Sequence, residues 1–137
     1  MNMRNGFTLI ELLIVVAIIG LLSAIGYPLY TDYVTQGKIT EATSGLSAGR
    51  IKMEQFFQDF RAYDNSTGGV VPTVAATADF GFVVASAPLT YTITATGTGG
   101  MTGFVYTIDE TNTRTTVSTP SWGSNATCWV RKPGGVC

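Results

Sequence analysis

Hydrophobic and polar positions follow three different rhythms along this chain. From Phe7 to Tyr30, fourteen of twenty-four residues are Leu, Ile, Val or Phe, and the only charge is Glu11. At roughly −0.3 to −0.6 kcal/mol per large apolar residue, such a run favours bilayer insertion by about 4–8 kcal/mol. A mid-bilayer acid costs roughly 2.5–3.5 kcal/mol, and Glu11 lies near one end, where the cost is smaller. Insertion wins, and a helix of this length spans the ~30 Å hydrocarbon core. Beyond Tyr33, Ile39, Ala42, Leu46, Gly49, Met53, Phe56, Phe57 and Phe60 recur at steps of three and four, largely opposite Arg50, Lys52, Glu54, Gln55, Asp59 and Arg61. That is an amphipathic helix. The two stretches predict one helix from Phe7 to about Ala62. Gly37, Gly45 and Gly49 weaken it by roughly 1 kcal/mol each relative to alanine, so it needs a sheet packed on it, with Phe56, Phe57 and Phe60 in the core.

From Phe80 the period drops to two. Phe80 to Val84 is a short strand. Leu89, Tyr91, Ile93 and Ala95 alternate with threonines, and Phe104, Tyr106 and Ile108 alternate likewise. Thr113 to Ser118 completes the meander. Asp64 to Ala78 reads as a loop joining helix to sheet, and Thr96 to Gly103 as a glycine-rich hairpin loop rather than a phosphate cradle. The fold class is α+β: a long N-terminal helix, half transmembrane and half amphipathic, packed on an antiparallel β-meander. Pro28 either ends the helix or kinks it; the pattern resuming beyond it favours a kink.

Composition adds bounds. The formal charge is −1, which gives no electrostatic case for nucleic acid as the main ligand. With Arg4 marking the cytoplasmic side, everything after Tyr30 lies outside the cytoplasm. There Cys128 and Cys137 read as a disulfide, whose ten-residue loop stabilises the fold by roughly 2.7 kcal/mol in the chain-entropy model. The chain has no histidine, so Ser/His and Cys/His catalysis are excluded, and neither a metal nor a cofactor is expected. The protein is not an enzyme on this reading. Asn65-Ser66-Thr67 and Asn125-Ala126-Thr127 match glycosylation triplets, a weak signal that ordinary loop chemistry explains.

A carboxylate near the start of an apolar span calls for a partner. Cleavage after Gly6 would supply one, the new amine of Phe7, either four residues away or on a neighbouring copy. Two blander readings exist: a plain single-pass anchor beginning at Met1, or a secretory signal cut after Ala24-Ile25-Gly26 to leave Tyr27. Gly6-Phe7-Thr8-Leu9-Ile10-Glu11 and the run behind it resemble the class III signal and first helix of a type IV pilin. The tail, Cys128-Trp129-Val130-Arg131-Lys132 to Cys137, is similar to the pilin C-terminal disulfide loop.

The resemblance implies a leader over residues 1–6, a transmembrane and polymerisation half-helix over 7–30, and an extracytoplasmic head over 31–137. It implies cleavage between Gly6 and Phe7 by a prepilin peptidase, N-methylation of Phe7, and subunit docking through Glu11. It makes Gly20 to Pro28 a conformational joint, a static bend being the alternative. It makes the loop bearing Trp129, Arg131 and Lys132 a candidate surface contact, for DNA phosphates or an acidic partner; two charges are few, and a solvated loop with one packed tryptophan is the favoured alternative. The precursor would sit in the bacterial inner membrane, head periplasmic, and be assembled with other pilin subunits by inner-membrane machinery into an extracellular pilus serving adhesion, twitching motility or DNA uptake. Tyr30 to Val34, Met53 to Asp59 and Thr127 to Lys132 look most like type IVa minor pilins of the PilE kind. A major pilin of the shaft or a type II secretion pseudopilin is the alternative within the family, and a membrane-tethered monomeric binding module the alternative outside it.

Overall fold

The computed structural model describes residues 7–137, so the expected leader, Gly6 included, lies outside the described residues. Contacts divide the chain into one unit ending at Val34 and a second, Thr35–Cys137. The elements are α1 (Leu9–Phe60), β1 (Phe80–Ser86), β2 (Tyr91–Gly97), β3 (Val105–Asp109) and β4 (Arg114–Ser118), with short 3-10 turns at Asn65–Thr67 and Gly99–Met101.

Thr8 starts α1. Its hydroxyl accepts from Glu11 N at 3.2 Å and its carbonyl from Leu12 N at 3.2 Å, so Thr8 is the N-cap of a Thr-x-x-Glu pattern. The helix runs on through Pro28, where Thr31 Oγ1 donates to the Pro28 carbonyl at 2.8 Å. It stops where Arg61 turns into the left-handed region (φ 59°) and returns its N–H to Phe57 O at 2.8 Å, an αL-type ending.

In the second unit α1 buries Ile39, Ala42, Thr43, Leu46, Gly49, Met53 and Phe56, the stripe expected from the three-and-four spacing. Gly49 is needed for the close approach. A Cβ there would lie 2.6 Å from Val74 Cγ2 and 2.9 Å from Ile93 Cδ1, and one at Gly45 would run into the Phe82 ring. These two glycines weaken the helix but let it settle onto the sheet. Phe60 departs from expectation: it is 37% exposed, lying at the last helical position with its ring 4.8 Å from that of Phe56.

The sheet is a four-stranded antiparallel meander in the order β1-β2-β3-β4. Ile93 faces Ile108 and Ala95 faces Tyr106, so inward positions pair with inward positions. A register irregularity between Val105 and Tyr106 sets Tyr106 opposite Thr116. Leu89, read as the start of a strand, lies before β2 and is 71% exposed; the backbone there is a turn, with Ala87 N donating to Thr90 O. Tyr91, Ile93, Ala95, Tyr106 and Ile108 form the core with the helix stripe. Phe104 meets Trp122 edge-on at 5.6 Å, a favoured aromatic arrangement.

Candidate functional site

Two regions carried functional expectations, one in each unit. In the first unit, among the described residues, one helix is long and apolar enough to cross a membrane, and none of its most apolar stretch is buried within the chain. Exposed apolar residues run from Phe7 to Val34, with Val15 at 46% and Leu9 at 82%. Within a single copy such a surface has nothing to pack on, so lipid or another protein must cover it. Glu11 occupies the third position of the helix, where its backbone is held by Thr8, and its carboxylate forms no ion pair among the described residues; the one salt bridge found joins Lys38 to Asp79. Gly20 has open space where a Cβ would stand.

In the second unit the C-terminal loop is a braced ring. The Cys128–Cys137 disulfide joins Cα atoms 6.0 Å apart, and Lys132 pairs with Val136 across it. Arg131 N and Lys132 N both donate to Val136 O, at 2.8 and 3.1 Å. Thr116, almost fully buried on β4, organises the attachment: its hydroxyl donates to Cys128 O at 2.9 Å and accepts from Val130 N at 2.8 Å. Tyr106 Oη adds a bond to Val130 O at 3.0 Å, and burial pushes that phenol well above its ordinary pKa.

Arg131 and Lys132 are exposed, as a contact surface requires. Trp129 is packed rather than presented, the favoured alternative to a contact role. Only 7% of it is exposed, because its indole N–H is spent on Thr107 O at 2.9 Å and its ring is packed into the core. The guanidinium of Arg114 lies 5.0 Å from the ring centroid, a cation–π contact. Neither Arg114 nor the helix hydroxyls facing this loop drew notice from sequence reasoning, since no local spacing links them.

A polar network ties α1 to the sheet in the second unit. Glu54 accepts from Tyr63 Oη and Tyr91 Oη, each at 3.1 Å, and Glu110 accepts from Tyr91 N at 3.2 Å. Burial first, then the Glu54 charge and hydrogen bond, push both phenols above their ordinary value; Arg50 offsets part of this.

Comparison with known proteins agrees with this architecture. Residues 1–27 match the model of the prokaryotic N-terminal methylation motif. Residues 28–105, more than half of the chain, match the family described as "Type IV minor pilin ComP, DNA uptake sequence receptor". The chain belongs to the type IV pilins. Among its relatives, it is 38% identical over 97 residues to fimbrial protein EcpC of Eikenella corrodens, covering 69% of this chain and 63% of that one. It is 48% identical over 54 residues to the type IV major alpha-pilin of Moraxella bovis, covering 39% of this chain and 34% of the other. A fimbrial protein of Pseudomonas aeruginosa is 56% identical over 48 residues, 35% of this chain and 31% of that one. These alignments thus span from 31% to 63% of the relatives' lengths. No solved structure matches the chain significantly. The ComP-type match stops at residue 105, before β4 and the disulfide ring.

Proposed function

We propose that this pilin is a minor subunit of a type IV pilus with a part in DNA uptake. The observation that carries the reading is the tandem match: a methylation motif over residues 1–27 followed directly by the ComP-type model over 28–105. The precursor is held in the inner membrane by residues 7–30, with 31–137 outside the cytoplasm. A prepilin peptidase cuts between Gly6 and Phe7, Phe7 is methylated, and inner-membrane machinery moves the subunit into the filament. Association of the exposed apolar helices replaces lipid contacts by protein contacts, which leaves little net hydrophobic drive. Charge matching between Glu11 and a terminal amine then supplies registry, and Gly20 to Pro28 supplies a joint.

Intact mass of the protein from cells tests the processing: the reading requires a chain beginning at methylated Phe7, and a start at Met1 or Tyr27 refutes it. Copy number in sheared fibres tests the rank, because a dominant band would make this the shaft subunit. The relative named a type IV major alpha-pilin in Moraxella bovis supports that second reading. For DNA, the exposed pair Arg131 and Lys132 supplies phosphate contacts. Binding of duplex DNA by the full-length protein that survives Arg131→Ala/Lys132→Ala unchanged would remove the loop from that role.

A further inference from the structure

Between α1 and the disulfide ring, wholly within the second unit, lies an open groove of about 500 Å³. One wall is a row of hydroxyls from successive helix turns, Thr40, Ser44 and Ser47. The other holds Arg114, Trp129 and Arg131. No carboxylate side chain lines it, and among the described residues neither guanidinium is in an ion pair. Arg131 Nη2 donates to Thr40 Oγ1 at 3.2 Å, which holds that guanidinium against the helix wall. Arg114 is held over Trp129. Each guanidinium has five N–H donors, and these contacts use few of them.

We propose that this groove binds a small molecule carrying a tetrahedral oxyanion, of the phosphomonoester class, with the anion between Arg114 and Arg131 and the remainder along the hydroxyl wall. The volume falls in the range of small-molecule sites and exceeds what a bare ion fills. Two planar donor forks lining one groove from different elements suit an anion whose oxygens point in several directions. The hydroxyl of Ser44 suits a polyhydroxylated body, and Ser47, whose own O–H donates to Thr43 O at 2.7 Å, can still accept from one. The two arginines are brought to the groove separately, one by β4 and one by the disulfide ring, so the ring's closure is part of the site. The inference does not depend on the pilus rank or on DNA uptake.

The test is calorimetric titration of the full-length protein in an amine-oxide detergent, which carries neither phosphate nor sugar, in phosphate-free buffer. The probes are glucose 1-phosphate, inorganic phosphate, glucose and a short DNA duplex. One-to-one saturable binding of glucose 1-phosphate and none of glucose is the expected result. Arg114→Gln should weaken it about tenfold or more, the size of a lost hydrogen bond to a charged group. Ser44→Leu, which fills the groove from an exposed helix position, should abolish it while leaving near-UV circular dichroism unchanged; it carries the test should Arg114→Gln fail to fold. Heats that stay linear with glucose 1-phosphate to about 10 mM, a binding energy of under about 3 kcal/mol, overturn the proposal. So does an affinity that both variants leave unaltered. Duplex binding that Arg114→Gln removes, with no binding of glucose 1-phosphate, would also overturn it and give the groove to nucleic acid.

Discussion

Replacing Glu54 by alanine should destabilise the second unit by about 2–4 kcal/mol. The carboxylate accepts from two phenols at 3.1 Å, and the two rings that bear them are 7% and 2% exposed. A hydrogen bond to a charged group contributes about 1.5–3 kcal/mol, and a buried donor left unpaired loses about 1–3 kcal/mol of solvation. The total is smaller than these figures summed, because the orphaning cost is already part of the mutational loss of a bond and removing half-buried Glu54 also removes its own desolvation cost. Urea titration of the full-length protein in detergent, followed by Trp122 and Trp129 fluorescence, measures the loss. The decisive comparison is a double-mutant cycle. Tyr91→Phe alone should cost about 1–2 kcal/mol, but in the Glu54→Ala background it should be close to neutral, since it removes a donor already orphaned. Additivity of the two within about 0.5 kcal/mol would refute the pairing. The pH dependence gives a second check. Burial and the Glu54 charge raise the folded pKa of Tyr63 and Tyr91. Their contribution is therefore fully present below the unfolded value near 10 and is lost as pH rises above it. That alkaline loss should be shallower in Glu54→Ala.

Three further outcomes follow from particular contacts. Gly49→Ala should destabilise by about 1–2 kcal/mol, because overpacking against Val74 and Ile93 outweighs the roughly 1 kcal/mol gained in helix propensity; Gly37→Ala, with nothing within 4 Å, should stabilise by up to about 1 kcal/mol in the same urea titration. Reducing Cys128–Cys137, or Cys128→Ser/Cys137→Ser, should cost about 2.7 kcal/mol on the chain-entropy model, and amide exchange should speed up first at Arg131 and Lys132. At acid pH, Asp109→Asn should flatten part of the stability profile. Burial raises the Asp109 pKa, but hydrogen bonds from Thr111 and Thr113 outweigh it and hold the carboxyl below its ordinary value. Its contribution is thus present above the unfolded value near 4 and fades as pH falls through the lower folded one. An unchanged acid limb would remove Asp109 from that role.

What could be read from the chain was whatever repeats locally. The stripe Ile39, Ala42, Leu46, Gly49, Met53 and Phe56 was legible because helix period alone sets it. So were Tyr91, Ile93, Tyr106 and Ile108, because a half-buried strand alternates. Met101 was read as part of a polar hairpin loop; it is almost fully buried, and a single apolar residue among glycines has no period to betray it. The Glu54–Tyr91 bond joins residues 37 apart, and Arg131 meets Thr40 across 91. Both depend on how the helix lies across the sheet, which residue spacing does not encode. Trp129 adjoins Arg131 and Lys132 in sequence, yet Trp129 and Val130 are both buried while Arg131 is exposed; two consecutive buried residues follow no strand alternation, so local spacing could not sort them.

Two physical roles are open to Glu11, helix capping and the proposed subunit registry, and one substitution can separate them. As third residue of a helix capped by Thr8, it places negative charge at the positive end of the helix dipole. In lipid, where unpaired backbone N–H groups cost several kcal/mol, a side chain able to reach back to them is worth having even in a lone subunit. Registry between subunits asks for something different, a full charge to meet an amine. Glu11→Gln keeps the capping geometry and removes the charge, whereas Glu11→Ala removes both. If charge pairing governs assembly, the two variants should insert and be cleaved normally, and both should fall out of sheared fibres to the same degree. If capping suffices, Glu11→Gln should enter fibres at the wild-type level and only Glu11→Ala should be lost, and quantitative immunoblotting of fibre against membrane fractions tells the two apart.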